Sequence, residues 1–129
     1  MTQTSMIDGE IPVQVFLPPS GTGPGLVLVQ GIFGASSYIQ TRAADLAALG
    51  YVVAVPQLYW RIGVDATPEE GDDMLAQAMA ASAALPWEDA VADTARSVAW
   101  VRERSDVVGG VGLIGFCYGG GVAFAAAAQ

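Results

Sequence analysis

Apolar residues fall in short blocks separated by Gly- and Pro-rich punctuation. Residues 11–17 alternate, placing Val13, Val15 and Leu17 on one face of a strand. Residues 26–29, 51–55 and 111–114 are continuously apolar, as strands covered on both faces read. Pro56 stops the second of these three blocks. Other segments carry the helical period. Ile39, Ala43, Leu46 and Leu49 share a face in a helix that Ser37 and Gln40 would open as a capping box and Gly50 would close at C′. Thr67, Pro68 and Glu70 fit the N-cap, N1 and N3 positions of a further helix, which Pro86 interrupts. Residues 87–104 then place Trp87, Val91, Ala95, Val98 and Val101 at helical spacing, with the Trp and Val side chains expected in the core. Residues 18–25 read as a loop, 57–66 as an irregular loop carrying Tyr59, Trp60 and Arg61, and 105–110 as a turn. The order is β, β, α, β, α, α, β, α. Strand, helix, strand at this spacing predicts an α/β fold, a partly parallel sheet flanked by helices, with parallel strands near 26–30, 51–55 and 111–115.

Candidate chemistry concentrates at the last strand. Gly115-Phe116-Cys117-Tyr118-Gly119 lies between that strand and a helix expected over 120–128. This is the setting of a nucleophile elbow, with Cys where the commoner pattern has Ser. A strained turn lifts the side chain off the sheet, and residues two before and two after it are crowded, which suits glycine. The turn predicts a positive φ at Cys117. The start of a helix favours the thiolate through its dipole and free N–H groups. Other readings of the same residues stand beside this one. A lone Cys is commonly a packed core residue, and Gly-rich turns also occur for close packing. Gly110, Gly112 and Gly115 match the spacing G-x-G-x-x-G of dinucleotide sites, but these glycines fall inside the strand rather than after it.

Composition narrows the classes. The 129 residues suit one domain or part of one, and 53% hydrophobic content fits a buried core. Net charge is −8, with five Arg and no Lys, which argues against nucleic acid and anionic membrane as partners. A single Cys allows no internal disulfide, and the absence of His removes the usual zinc sites; no metal or cofactor is expected. The acidic run Glu69, Glu70, Asp72 and Asp73 reads as the solvated first turn of a helix rather than a cation site. No signal peptide and no membrane-length apolar stretch is visible, so a cytoplasmic protein is expected.

Four stretches together resemble the dienelactone hydrolase family of α/β-hydrolases. They are Gln30-Gly31-Ile32-Phe33-Gly34, the run from Tyr51 through Pro56 to Tyr59-Trp60-Arg61, the helix ending at Arg104, and Val111 through the Cys117 elbow to Gly120. The resemblance implies that Cys117 attacks the carbonyl of a small-molecule ester or lactone, and that the backbone N–H groups of Ile32 and Tyr118 form the oxyanion hole. It also implies substrate contacts from Phe33, Tyr59 and Arg61. Family members carry Glu where this chain has Gly31, and Arg where it has Leu75, so a neutral ester or thioester is expected as readily as a dienelactone. The family's acid and His lie beyond the elbow helix, and this chain has no His. Asp89, Asp93 and Asp106 do not replace an imidazole near neutral pH. Residues 1–129 are therefore expected to be the N-terminal portion of a single α/β-hydrolase domain, an incomplete fold, with the missing C-terminal half as a possible partner. A non-catalytic α/β binding module and a nucleotide-binding half-domain using the glycines at 110–115 are the alternative readings.

Overall fold

A computed structural model describes residues 2–64 and 66–129. Five strands form one mixed sheet: β1 (Thr2–Ile7), β2 (Ile11–Phe16), β3 (Gly23–Val29), β4 (Val52–Pro56) and β5 (Val107–Gly115), in the order β1-β2-β4-β3-β5. β3 runs parallel to β4 and to β5, as the sequence predicts, while β2 is antiparallel to both β1 and β4. Four helices flank it: α1 (Ser37–Ala48), α2 (Met74–Ala84), α3 (Trp87–Arg102) and α4 (Tyr118–Ala127). Among the described residues no helix is long and apolar enough to cross a membrane.

The alternation of β4 divides the core. Val53 and Val55 pack with Phe16, Leu28, Ile39 and Ala43 beneath α1. Val52 and Ala54 face the other way, into a larger cluster with Val13, Val15, Val27, Val101 and Val122 beneath α3 and α4. A strand buried on both faces has no polar side to show, hence its unbroken apolar run.

Several elements differ from their sequence expectation. β1 is an added strand. Its Thr-Gln-Thr-Ser run is polar and mostly exposed, because it lies at the sheet edge, so no apolar alternation marks it. A tight turn joins it to β2, with Asp8 and Gly9 at φ of 53° and 70° and the Glu10 N–H donating to the Ile7 carbonyl at 2.9 Å. β3 begins at Gly23, inside the stretch expected to be loop. The glycines are there because backbones crowd: a Cβ on Gly23 would overlap the Gly50 carbonyl, and one on Gly25 would meet Val101 at 2.8 Å. β5 likewise starts at Val107, with a register shift against β3 and Gly109 at φ 94° in the stretch expected to turn.

α1 is capped one residue earlier than expected. The Ser36 hydroxyl, not that of Ser37, accepts from the Ile39 N–H at 3.4 Å, and Gln40 donates instead to the Ala35 carbonyl at 3.0 Å. Its end is as expected: Gly50 has φ 114° and closes on Ala47, while the Tyr51 N–H reaches Leu46. Leu49, expected on the buried face, is 75% exposed because it occupies the C-cap beyond the last inward position. The helix expected from Thr67 is not there. Gly71 takes φ 107°, which no helix accommodates, and α2 starts only at Met74. α3 ends at Arg102, two residues short, and Arg104 pairs with Asp106 at 2.8 Å in the turn that follows. Trp87 is 47% exposed rather than core, since it occupies the first position of α3. The irregular loop after β4 contains a 3₁₀ turn, Leu58–Ile62, ended by Gly63 at φ 72°.

Candidate active site

The chain leaves β5 at Gly115, passes Phe116 and Cys117, and enters α4 at Tyr118. Cys117 has φ 53° and ψ −112°. Its thiol is free and exposed. A non-glycine residue at positive φ is uncommon and costs backbone energy, so the surrounding contacts must impose it. They do. A Cβ on Gly115 would overlap the Gly119 carbonyl, and a Cβ on Gly119 would overlap the carbonyls of Val29 and Gln30. Only glycine lets α4 seat this tightly against β5 and the end of β3. The turn is closed by the Gly119 N–H donating to Phe116 at 3.0 Å and the Gly121 N–H donating to Cys117 at 3.2 Å.

The loop after β3 faces this turn. Gly34, at φ 85°, donates to the Gly31 carbonyl at 3.0 Å and closes a tight turn around Ile32 and Phe33. Three tethers hold that turn. Gln30 is fully buried, and its amide oxygen accepts from the Leu58 N–H at 3.0 Å. The buried Tyr59 hydroxyl donates to the Ile32 carbonyl. Thr67 donates its N–H to the Phe33 carbonyl at 3.0 Å, beside an antiparallel bridge between Gly34 and Ala66. Among the described residues neither the Ile32 nor the Tyr118 amide N–H donates to a backbone carbonyl. At Gly31 there is room: a Cβ would meet nothing nearer than the Phe116 carbonyl at 3.9 Å.

Between these loops lies a cavity of about 420 Å³. Cys117 and Phe116 form one wall, Ile32 and Phe33 another, and Tyr38 and Ile39 of α1 a third. Phe116 meets Tyr38 edge to face at 5.8 Å. Met74 and Glu69 complete the lining. Pattern reading misses these last two. Glu69 reads as one of a solvated acidic run, yet its carboxylate accepts from the Ser37 N–H at 2.9 Å and the Tyr38 N–H at 3.4 Å, thirty-odd residues away in sequence. It satisfies free donors at the start of α1, where the helix dipole also favours a negative charge. Those bonds tie the segment after Ala66 to the start of α1 as a strap along the cavity wall.

The structure brings Cys117, Ile32 and Phe33 to this cavity, with Tyr118 next in chain. It holds Tyr59 and Arg61 elsewhere. Tyr59 is fully buried under the Ile32 turn, and Arg61 forks onto Asp93 of α3 at 2.8 Å and 3.0 Å. Gly110, Gly112 and Gly115 lie within β5, so they form no phosphate-cradling turn. Among the described residues no group of three or more His, Cys, Asp or Glu is placed to hold a metal ion.

Burial pushes the Tyr59 hydroxyl up to about 12, with the nearby Tyr118 adding to the shift, and burial raises Tyr118 as well. An unfolded tyrosine ionises near about pH 10, so above that pH the folded chain retains protons that the unfolded chain releases, and stability falls as pH rises. Thermal melts between about pH 10 and 12 should show this loss, and Tyr59→Phe should reduce it, leaving the share of Tyr118.

The dienelactone hydrolase family model matches residues 11–129. The chain belongs to the dienelactone hydrolase family. It is 34% identical over 122 residues to a carboxymethylenebutenolidase of a Pseudomonas species, covering 94% of this chain and 51% of that protein. It is 30% identical over 131 residues to carboxymethylenebutenolidase 1 of Cupriavidus pinatubonensis, covering 98% and 54%. The crystal structure of a Klebsiella pneumoniae protein, provisionally named a dienelactone hydrolase, superposes with a TM-score of 0.80 at 25% identity, over 100% of this chain and 55% of that one. The sheet and its helices are therefore an α/β-hydrolase arrangement, as the motif order implies. The chain spans about half the length of the curated relatives it matches.

Proposed function

We propose that residues 1–129 are the N-terminal portion of a single α/β-hydrolase domain that cleaves an ester or lactone through a cysteine nucleophile. The observation that carries this reading is the exposed thiol of Cys117, held at positive φ between strand and helix on the wall of a cavity. Membership of a hydrolase family and the half-length match support it. So does β5, which among the described residues pairs with β3 alone and leaves an apolar strand at the sheet edge.

The thiolate sulfur attacks the carbonyl carbon, and the C=O electron pair moves onto oxygen. The amide N–H groups of Ile32 and Tyr118 donate to that oxyanion, which is worth about 3–4 kcal/mol per donor in other acyl-transfer enzymes. The tetrahedral intermediate collapses with loss of the alkoxide, leaving an acyl-cysteine. Hydrolysis of that thioester needs a base to activate water, and no His is present in these residues to provide it. Tyr59 serves the reaction from behind, by fixing the Ile32 carbonyl and with it the direction of the Ile32 turn. Phe33 contacts the substrate from the cavity wall. The reaction takes place in the cytoplasm, whose reducing conditions keep the single thiol free.

The test is covalent. After incubation with p-nitrophenyl acetate, the intact mass should rise by one acetyl group, and peptide mapping should place that group on Cys117. Acetylation confined to other residues would remove the elbow from the mechanism.

A further inference from the structure

We infer that the cavity beside Cys117 takes neutral or cationic ligands with an apolar acyl group and turns away anionic ones, with Glu69 setting the preference. This deepens the reading of Cys117 as the attacking group of an ester-cleaving site and rests on it.

The lining is apolar on three sides, from Ile32, Phe33, Ile39, Met74 and Phe116. Glu69 is the one carboxylate among the lining residues, and no Arg is among them. Among the described residues every arginine is committed or elsewhere. Arg42 lies over the Tyr38 ring at 5.2 Å, but its charge is paired with Asp45 at 2.8 Å. Arg61, Arg96 and Arg104 are bound to Asp93, Asp8 and Asp106. Arg102 sits in the last turn of α3. A carboxylate-bearing ligand entering here would lose water, gain no counter-charge and meet a fixed negative charge, whereas an apolar acyl chain gains burial and a cationic leaving group gains attraction.

Glu69 is solvent-exposed but anchored. Its two bonds to the α1 amides at Ser37 and Tyr38 hold the carboxylate at the cavity wall. The amides of a helix start carry only a partial positive charge, less than the full charge of a carboxylate, so a net negative charge remains.

Methanethiosulfonates measure the preference on the intact chain without needing turnover. The Cys117 sulfur attacks the sulfenyl sulfur, an S–S bond forms, and methanesulfinate leaves. Second-order rates are measured with the cationic trimethylammonioethyl, neutral methyl and anionic sulfonatoethyl reagents, each divided by its rate with a small free thiol. At low salt the cationic reagent should be favoured over the anionic one, and added salt should compress the ratio. Glu69→Gln, which keeps an acceptor oxygen for the α1 amides, should lower the cation-to-anion ratio by about threefold. Glu103→Gln, at the far end of α3, removes the same net charge and should leave the ratio alone. The inference is overturned if Glu69→Gln leaves the ratio as it was, if Glu103→Gln lowers it equally, or if the anionic reagent reacts as fast as the cationic one. Acetylation by p-nitrophenyl acetate is followed in parallel. Charge order without acetylation removes the ester-cleaving reading and leaves the charge preference standing; acetylation without charge order does the reverse.

Discussion

Mixed with excess p-nitrophenyl acetate, the purified chain should release at most one p-nitrophenolate per Cys117 and then stall. Acylation asks little of a base, because the leaving group is good and cysteine is nucleophilic at neutral pH without one. Deacylation asks much more. Water must be activated against a thioester, and the chain contains no imidazole to do so. Cys117→Ala should abolish the burst entirely, a loss larger than any other single substitution at the site can cause, since it removes the attacking atom itself. Stopped-flow absorbance with active-site titration reads both outcomes. Sustained turnover that disappears in Cys117→Ala would reveal a base within these residues. Turnover that survives the substitution would place the chemistry on another group.

The largest loss of stability is expected far from the thiol, at Asp93. This side chain is 0% exposed, yet it carries a carboxylate. Burial is tolerated because four donors converge on it: Trp60 Nε1 at 3.0 Å, Arg61 Nε and Nη2 at 2.8 Å and 3.0 Å, and Arg96 Nη1 at 3.2 Å. The carboxylate ties α3 to the 3₁₀ turn on one side. Through Arg96, which also reaches Asp8 and Glu10, it ties α3 to the β1–β2 turn on the other. Replacing one partner of a buried ion pair leaves the others uncompensated and costs about 3–5 kcal/mol. Asp93→Ala should sit near the low end, about 3 kcal/mol, because Arg61 and Arg96 are each about one-third exposed and regain water. Asp93→Asn, which keeps the shape and one acceptor oxygen but turns an NH₂ toward two of the four donors, should cost somewhat less. Urea denaturation of the three proteins checks both the size and the order. Equal stability of Asp93→Ala and wild type would show that the network adds nothing.

Much of this fold was legible because its central strands are buried on both faces. The apolar runs at 26–29, 51–55 and 111–114 state that directly, and Gly50 marks the end of α1 through its positive φ. The elbow was legible for a related reason: two glycines at fixed offsets from Cys117 are demanded by carbonyls that a Cβ would strike. What escaped was set by contacts across the chain. The polar β1 is a strand only because β2 offers it an edge. Glu69 is a capping group for a helix that begins thirty-odd residues earlier, so no local pattern distinguishes it from its acidic neighbours. Thr67, Pro68 and Glu70 are a sound helix start that the Gly34–Ala66 bridge and Gly71 override. Arg61 looked available for a ligand, but Asp93, which claims it, lies two elements further along.

The strap along the cavity wall is fastened by a bridge at Ala66, a backbone bond at Thr67 and the carboxylate of Glu69. The turn that presents the thiol is fixed on the opposite wall, by Gly115 and Gly119 against carbonyls of β3 and α4. Substitution in the strap therefore reshapes one wall while the thiol stays where it is. On this scaffold the lining of the cavity and the turn that carries the thiol can drift independently, because separate stretches of the gene encode them.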